Sequence, residues 1–147
     1  MVKILWWLHW SFTTTLSGSF LGTGVTPWHA PNLKRNRERG HALLYADYFA
    51  NTLLFKPDKF RRCFRMARHL FNGIREGVVA NDPYFECKTD ALGKLGFSSY
   101  QKCTAAIHIL AYGISSDLVD EYVRMSETTC LMSMYKFCQA MVAVFWL

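Results

Sequence analysis

The most distinctive chemical feature of the sequence is a run of arginines between residues 60 and 75. Arg65, Arg68 and Arg75 lie four, seven and fourteen residues after Arg61, and Arg62 lies further round the same helical wheel. Guanidinium groups bind phosphate through several donors at once. The stripe therefore indicates either a phosphate-binding surface or a solvated helix face whose arginine stems cover the edge of the core.

Charge is distributed unevenly along the chain. Residues 34–75 carry eleven Lys or Arg and three acidic residues, a net charge of +8, whereas residues 76–147 have a net charge of −3. The whole chain of 147 residues has a net charge of +6. This asymmetry indicates one surface for a polyanion or for an acidic protein partner.

Other residue types offer little catalytic chemistry. Five cysteines form no CxxC pair and no cluster with histidine: Cys63, Cys87, Cys103, Cys130 and Cys138. They are typical of apolar core residues in a reducing compartment rather than of a zinc site or a disulfide framework. Four acidic residues lie on and after a short predicted helix: Asp117, Asp120, Glu121 and Glu127. Capping and solvation explain these acids, and we expect no catalytic residue, no metal and no cofactor.

Apolar periodicity predicts consecutive helices from residue 35 onward. The first helix, over 35–51, has the apolar stripe Ala42, Tyr45, Ala46 and Phe49. The second begins near Pro57 and carries the arginines over 60–74, with a break near Met66 left open. Its apolar face is Phe60, Cys63, Phe64, Ala67, Phe71 and Ile74.

After an irregular stretch over 77–97, the second half of the chain contains two longer helices and, between them, a short helix over 117–123. Ser98 and Gln101 form a capping box that opens a helix, and Gly113 ends it. Ser126 begins a final helix that continues to the terminus. The predicted inner residues of the two helices are Cys103, Ala106, Ile107, Leu110, Leu131, Met134, Tyr135, Cys138, Met141 or Val142, and Phe145. We expect Phe64, Leu110, Tyr122 and Tyr135 to be buried.

These elements predict an all-α fold, with a small multi-helix domain over 35–147 and an irregular extension over 1–34. A short helix over 117–123, a turn of about three residues and the final helix have the outline of a helix-turn-helix. The side chains that such a unit would present to a major groove are Thr128, Thr129, Met132, Ser133 and Lys136. A plain helical bundle is the competing interpretation.

The N-terminal segment has a character of its own. Met1-Val2-Lys3 precedes the apolar run ILWWLHWSF, and small residues follow at 17–19. This pattern allows a secretory signal peptide, although the rest of the chain lacks the disulfide pattern of a secreted protein. No apolar run reaches the roughly 20 residues of a membrane-spanning helix.

Three segments resemble a known family. They are FKPDKFRRCFRMARHLF (55–71), NDPYFECKTDALGKLGFSSYQKCTAA (81–106) and LAYGISSDLVDEYVRMSETT (110–129). In this order they resemble the N-terminal region of plant PIF/Harbinger transposase-derived proteins, the HARBI-like nuclease group. The resemblance covers residues 35–145.

The resemblance implies a function for this region. In the family, the helical region precedes a DDE nuclease domain in which three acidic residues hold two divalent metals. No residue of this chain matches those acidic positions. The sequence therefore predicts a truncated, inactive, nuclear module with weak and mostly non-specific DNA binding. Its candidate DNA-binding residues are Arg61, Arg62, Arg65, Arg68, Arg75, Thr128, Thr129 and Lys136.

Three alternatives remain open at the level of sequence. Relatives are thought to act with a Myb-like DNA-binding protein, so the module could bind a protein partner of that kind. The chain could also be a non-functional gene fragment. If residues 1–19 act as a signal peptide, it would be a small secreted protein.

The chain should have no nuclease or strand-transfer activity in the presence of magnesium or manganese, because no residue matches the acidic triad that would hold the metals. Plasmid nicking followed on agarose gels measures this. Metal-dependent nicking that co-purifies with the chain through successive columns would contradict the prediction.

Overall fold

The computed structural model describes residues 36–50, 55–113 and 123–146, all in the second of the two units into which the chain divides, Lys34–Leu147. Its elements in these ranges are α1 (Arg37–Tyr48), α2 (Pro57–Phe64), α3 (Arg68–Asn81), the 3₁₀ turn Pro83–Phe85, α4 (Ser99–Tyr112) and α5 (Glu127–Phe145). Strand-like pairing within the described ranges is confined to one isolated bridge, between Thr89 and Leu95. The predicted all-α class is confirmed for this part of the chain.

Some predictions fall outside the described residues. They are the signal-peptide-like segment and irregular extension over 1–34, the short helix over 117–123 apart from its last residue, and the burial of Tyr122. That last residue, Val123, is fully buried. The chain then turns through Arg124, whose φ of 56° is left-handed, and enters α5.

The helix ends lie where local chemistry predicts them. At the start of α4, Ser98 Oγ accepts from the Gln101 N–H at 3.3 Å, and Gln101 Oε1 accepts from the Ser98 N–H at 3.1 Å. Gly113, with a φ of 58°, ends that helix. Pro57 is the first residue of α2, and the Ser126 side chain caps α5. The predicted capping box, proline start, glycine stop and serine cap are confirmed.

The break near Met66 that the sequence left open is present, so the basic stretch over 60–74 lies on two helices. Arg65 adopts a left-handed conformation with a φ of 58°, which ends α2. The chain then turns so that the Phe71 ring lies 5.2 Å from the ring of Phe64 and 6.0 Å from that of Phe60. All three rings are at most 1% exposed. Burying each ring contributes roughly 1.5–3 kcal/mol, which exceeds the roughly 1–2 kcal/mol cost of one left-handed residue.

The buried face of α1 differs from the predicted stripe. The buried residues are Gly40, Leu44 and Tyr48, and the exposed members of the stripe are Ala42, Tyr45 and Ala46. Gly40 is inside because the backbone of α1 approaches α4 closely. A Cβ at Gly40 would lie 3.1 Å from Gln101 Nε2 and 3.3 Å from the Val123 carbonyl oxygen. Phe49, the last residue of the predicted stripe, is buried as expected. The rest of the predicted face was wrong because apolar periodicity does not detect a glycine at a close approach.

The buried face of α5 is also rotated from the prediction. Its buried residues are Cys130, Ser133, Met134, Phe137 and Ala140, of which the prediction included only Met134. Tyr135, which was expected to be buried, is 40% exposed, and Leu110 on α4 is 36% exposed. Phe64 is fully buried, as predicted. Small side chains form much of the inner face of α5, so larger apolar residues are left on its flanks.

Gln101 of α4 joins three parts of the described chain and is 1% exposed. Its Nε2 donates to the Arg37 carbonyl in α1 at 3.1 Å and to the Val123 carbonyl at 3.2 Å. Its Oε1 accepts from the Ser98 N–H and hydroxyl. Since all four hydrogen-bonding positions of the amide are used, this buried polar group is fully satisfied.

Lys102 holds the 3₁₀ turn against α4. Its Nζ donates to the Tyr84 carbonyl at 2.6 Å and to the Glu86 carbonyl at 3.2 Å, and it lies 4.8 Å from the centre of the Tyr84 ring. Burial lowers the pKa of Lys102. On the other side of the turn, the Tyr84 hydroxyl lies 2.9 Å from Ser133 Oγ in α5. The turn is therefore held by two helices.

Replacing Gln101 with Leu should destabilise the fold strongly. The apolar side chain leaves the Arg37 and Val123 carbonyls and the Ser98 N–H without their partner. Because a buried unpaired group costs about 1–3 kcal/mol, we expect Gln101→Leu to lower the free energy of unfolding by about 2–4 kcal/mol. Urea denaturation followed by circular dichroism measures this loss.

Gln139→Leu is the matched control, because Gln139 lies on the exposed side of α5. Its amide donates only to the Tyr135 hydroxyl among the described hydrogen bonds. We expect a change within about 0.5 kcal/mol for this surface substitution. Equal losses in the two variants would contradict the role assigned to Gln101.

Candidate nucleic-acid interface

Six cations lie between residues 56 and 69, a stretch with one acidic residue. We call them the basic surface: Lys56, Lys59, Arg61, Arg62, Arg65 and Arg68. Lys59 and Arg68 are half-buried and the other four are exposed. The ion pairs found among the described residues involve Arg75, Lys88 and Lys136, and none of the six. Their charge is therefore not neutralised by a carboxylate of the described chain.

Tyr112, at the end of α4, holds the end of α2 in place. Its hydroxyl is 2.7 Å from the Arg62 carbonyl oxygen and 2.9 Å from that of Cys63, and it donates to them. These carbonyls lie in the last turn of α2, where no intrahelical donor is left. The Arg65 guanidinium lies 5.0 Å from the centre of the Tyr112 ring. One tyrosine thus positions both the helix end and a cation of the basic surface.

Two further cations of the basic surface lie against aromatic rings. Lys59 Nζ is 3.4 Å from the centre of the Phe55 ring, and the Arg68 guanidinium is 5.6 Å from the centre of the Phe60 ring. Such contacts contribute roughly 0.5–1 kcal/mol at exposed sites. They order the side chains without removing their charge.

Arg75 belongs to the packing between α3 and α4. Its Nη1 donates to Ser99 Oγ at 3.2 Å, its guanidinium lies 4.4 Å from the centre of the Tyr100 ring, and its Nη2 is 3.4 Å from Glu76 Oε1. Only 17% of the side chain is exposed. The structure therefore separates Arg75 from the other arginines of the predicted stripe.

At the start of α5, the structure leaves few groups of the candidate reading helix exposed. Thr128 is exposed and Met132 is 47% exposed. Thr129 is half-buried, and its hydroxyl oxygen lies 2.7 Å from Ser126 Oγ. One threonine and one methionine offer little hydrogen-bonding capacity for base readout.

The remaining reading positions contact the 81–86 segment. Ser133 is fully buried and bonded to Tyr84. Lys136 Nζ lies 3.4 Å from Asp82 Oδ2, next to the 3₁₀ turn. Both side chains tie α5 to the 81–86 segment, so the structure uses this part of α5 as a packing helix.

Burial suppresses the reactivity of two of the cysteines. Cys103 and Cys130 are buried, Cys63 and Cys138 are half-buried, and Cys87 is exposed, contrary to the expected core position. All five are free thiols. Burial raises the pKa of Cys103 to about 12 and also raises that of Cys138. These two thiols stay protonated at neutral pH, which disfavours nucleophilic or metal-binding roles.

His108 lies behind the basic surface. Its ring centre is 5.0 Å from that of Phe64 and 5.9 Å from that of Tyr112. Burial lowers the pKa of His108 to about 4, so the imidazole is neutral at neutral pH. Sequence reasoning missed both His108 and Tyr112, because each contacts α2 across more than forty intervening residues and no local spacing reports such a contact.

Neither a metal centre nor a membrane span is found where the structure is described. Within the ranges given above, no three His, Cys, Asp or Glu side chains are grouped closely enough to hold a metal ion. No helix in those ranges combines the length and the apolar character that a bilayer crossing requires.

Comparison with known proteins gives one partial match. A family model described as a domain of unknown function (DUF8418) matches residues 40–79. This stretch extends from α1 into α3 and includes the whole basic surface. No curated protein and no solved structure matches the chain. The resemblance to PIF/Harbinger proteins stays a prediction.

The buried His108 should make stability depend on pH. Since its pKa is lower in the folded state than in the unfolded one, the unfolded chain takes up a proton first as the pH falls. His108 should therefore cost stability as the pH falls from about 6.5 to about 4, by at most about 3 kcal/mol, and nothing further below that. Urea denaturation across this range measures the loss.

The variant His108→Gln isolates this contribution, because glutamine retains polar groups and does not titrate. We expect the free energy of unfolding of the variant to fall less between pH 6.5 and 4 than that of the unsubstituted chain. Parallel pH profiles for the two proteins would show that His108 is not the group responsible.

Proposed function

We propose that the described helices form a nuclear DNA-binding module that holds the phosphate backbone weakly, with little sequence preference and without nuclease activity. The resemblance to the N-terminal region of PIF/Harbinger proteins suggests this function and its nuclear location. The observation that supports it best is the basic surface, in which six cations within fourteen residues have no carboxylate partner among the described side chains.

The expected strength of binding follows from the number of phosphates that can be neutralised. Each neutralised phosphate releases condensed counterions, so the logarithm of the binding constant falls by about 0.9 per contact for each unit of log salt concentration. Phosphate attraction without base readout gives dissociation constants of roughly 10⁻⁴ to 10⁻⁶ M at physiological salt. The exposed cations of α2 support binding in this range.

Little in the structure supports sequence-specific readout. Bidentate contacts to base edges are made mostly by Arg, Lys, Asn and Gln. Among the first ten residues of α5 the only such side chain is Lys136, and Asp82 pairs with it. Gln139 lies further along the helix and donates to the Tyr135 hydroxyl. We therefore assign binding to α2 rather than to α5.

A protein-interaction module is the second candidate, and one observation favours it. Large apolar side chains on one side of α5 are 40% to 58% exposed: Leu131, Tyr135, Val142, Phe145 and Trp146. Their spacing places the first four on one helical face, and such a face is suited to a protein partner. A Myb-like protein is the partner that the family resemblance implies.

Removing the exposed arginines should weaken DNA binding and its dependence on salt. For the triple substitution Arg61→Ala, Arg62→Ala and Arg65→Ala, we expect the dissociation constant for a short labelled duplex to rise at least about tenfold at low salt. The slope of the log–log salt plot should fall by about 2–3, because each lost phosphate contact removes about 0.9. Fluorescence anisotropy at several sodium chloride concentrations measures both quantities.

Two control variants make the experiment specific. The first, Arg39→Ala with Lys88→Ala and Lys94→Ala, removes the same charge from exposed positions outside the basic surface. The second alters the candidate reading helix through the substitutions Thr128→Ala, Thr129→Ala and Lys136→Ala. Each should change the affinity less than threefold, roughly 0.6 kcal/mol. If the α5 variant abolished binding and the α2 variant retained it, α5 would be the DNA-binding helix and our assignment would be wrong.

A further inference from the structure

A cavity of about 540 Å³ lies where α2 meets α3, beside the basic surface. Side chains from both helices line it, among them Phe60, Arg61, Arg68 and Asn72. The lining residues come from the first half of α2 and the first turns of α3, and the cavity is open to solvent. Its volume falls within the roughly 300–1,000 Å³ range of small-molecule binding sites.

Two residues of the lining each have a buried polar atom without a hydrogen-bond partner. These atoms are Nε of Arg68 and Oδ1 of Asn72, on consecutive turns of α3. A buried group without a partner costs about 1–3 kcal/mol, and native structures leave few of them. A ligand with acceptor oxygens would pair with the guanidinium of Arg68, which is half-buried. Asn72 can hydrogen-bond either a donor or an acceptor on the ligand, because exchanging the oxygen and nitrogen of its amide gives two orientations.

The charges around the cavity select an anion. Arg61 and Arg68 contribute two guanidinium groups, His69 contributes an imidazole, and Asp58 is the only carboxylate among the described residues of the lining. Two separate guanidinium groups and an amide require at least three acceptor or donor positions on the ligand. A phosphate monoester has three terminal oxygens, whereas a carboxylate has two, and guanidinium matches phosphate geometry well.

We propose that this cavity binds the phosphate group of a phosphate ester, with Arg61, Arg68 and Asn72 as its polar contacts. The volume exceeds what phosphate alone needs, and the ring of Phe60 is part of the lining that would meet the organic part of the ester. The phosphate could come from a free ester or from the DNA backbone. The cavity shares Arg61 and Arg68 with the basic surface, but phosphate binding does not require that the protein bind DNA.

Inorganic phosphate is the first probe. Titrating the ¹⁵N-labelled chain with sodium phosphate should give saturable shifts of backbone amides within residues 57–72, with a dissociation constant in the millimolar range. Sodium chloride at matched ionic strength should not produce them. Shifts that are the same in both salts, or that spread over all basic residues without saturating, would overturn the proposal.

Asn72→Asp tests the cavity directly. The substitution keeps the shape of the side chain and adds a negative charge, which repels phosphate and offers Arg68 an internal partner. We expect phosphate affinity to fall at least tenfold, with the thermal unfolding temperature not lowered. Asn81→Asp, the same change at an exposed position on α3, should leave phosphate affinity unchanged. Equal affinity in the two variants would overturn the proposal.

Arg68→Lys provides a second variant that keeps the positive charge. Lysine lacks the Nε–H group and the planar donor geometry of arginine. We expect phosphate affinity to fall several-fold, with the charge of the chain unchanged. Full affinity in this variant would mean that positive charge alone attracts phosphate and that the cavity does not recognise phosphate through specific hydrogen bonds.

The two sources of phosphate are distinguished with a DNA duplex. If Asn72→Asp weakens duplex binding together with phosphate binding, the backbone supplies the phosphate; if duplex binding is unchanged, the ligand is a free ester. The double substitution Arg62→Ala and Arg65→Ala leaves the lining of the cavity intact. It should weaken duplex binding and retain phosphate binding, so failure of the proposed DNA-binding function is separable from failure of this site.

Discussion

Two adjacent polar side chains in α4, Gln101 and Lys102, provide the hydrogen bonds on which the arrangement of the other elements depends. Consecutive residues of a helix point about 100° apart, so the two side chains reach different neighbours. Gln101 binds carbonyls of α1 and of the chain just before α5, and Lys102 binds two carbonyls at the 3₁₀ turn. Those carbonyls lie at or near the ends of helical segments. A polar core therefore fixes the register that apolar packing alone would leave free.

The basic surface is a consequence of the same central helix. The far end of α4 carries His108 and Tyr112, which pack against and hydrogen-bond the last turn of α2. With that turn held, the left-handed conformation of Arg65 lets α3 fold back toward α2, so that Phe71 packs against Phe60 and Phe64. The exposed cations of α2 and the cavity beside them are thus placed by contacts from the opposite side of the fold. The local sequence supplies the cations of the basic surface, but the contacts that α4 makes with α2 determine where those cations lie in the fold.

The candidate site was partly predictable from the residues alone. Charge counting singled out the stretch that contains Arg61, Arg62 and Arg65, which are exposed in the structure. It could not separate them from Arg75, whose helical spacing is similar but whose side chain lies against Tyr100 and Ser99. The cavity was not predictable either, because it depends on the angle between two helices, and apolar periodicity along each helix does not contain that angle.

Local chemistry determined the all-α class and the helix ends of the described chain. A capping box, a glycine after the last turn and a proline in the first turn act within four residues, so their effect is readable without the fold. The inner faces of α1 and α5 were decided only in the tertiary structure. Gly40 and Ser133 are buried because neighbouring backbone and a tyrosine hydroxyl approach them closely. How closely two elements approach each other depends on both of them, so the residue pattern along one element does not predict it.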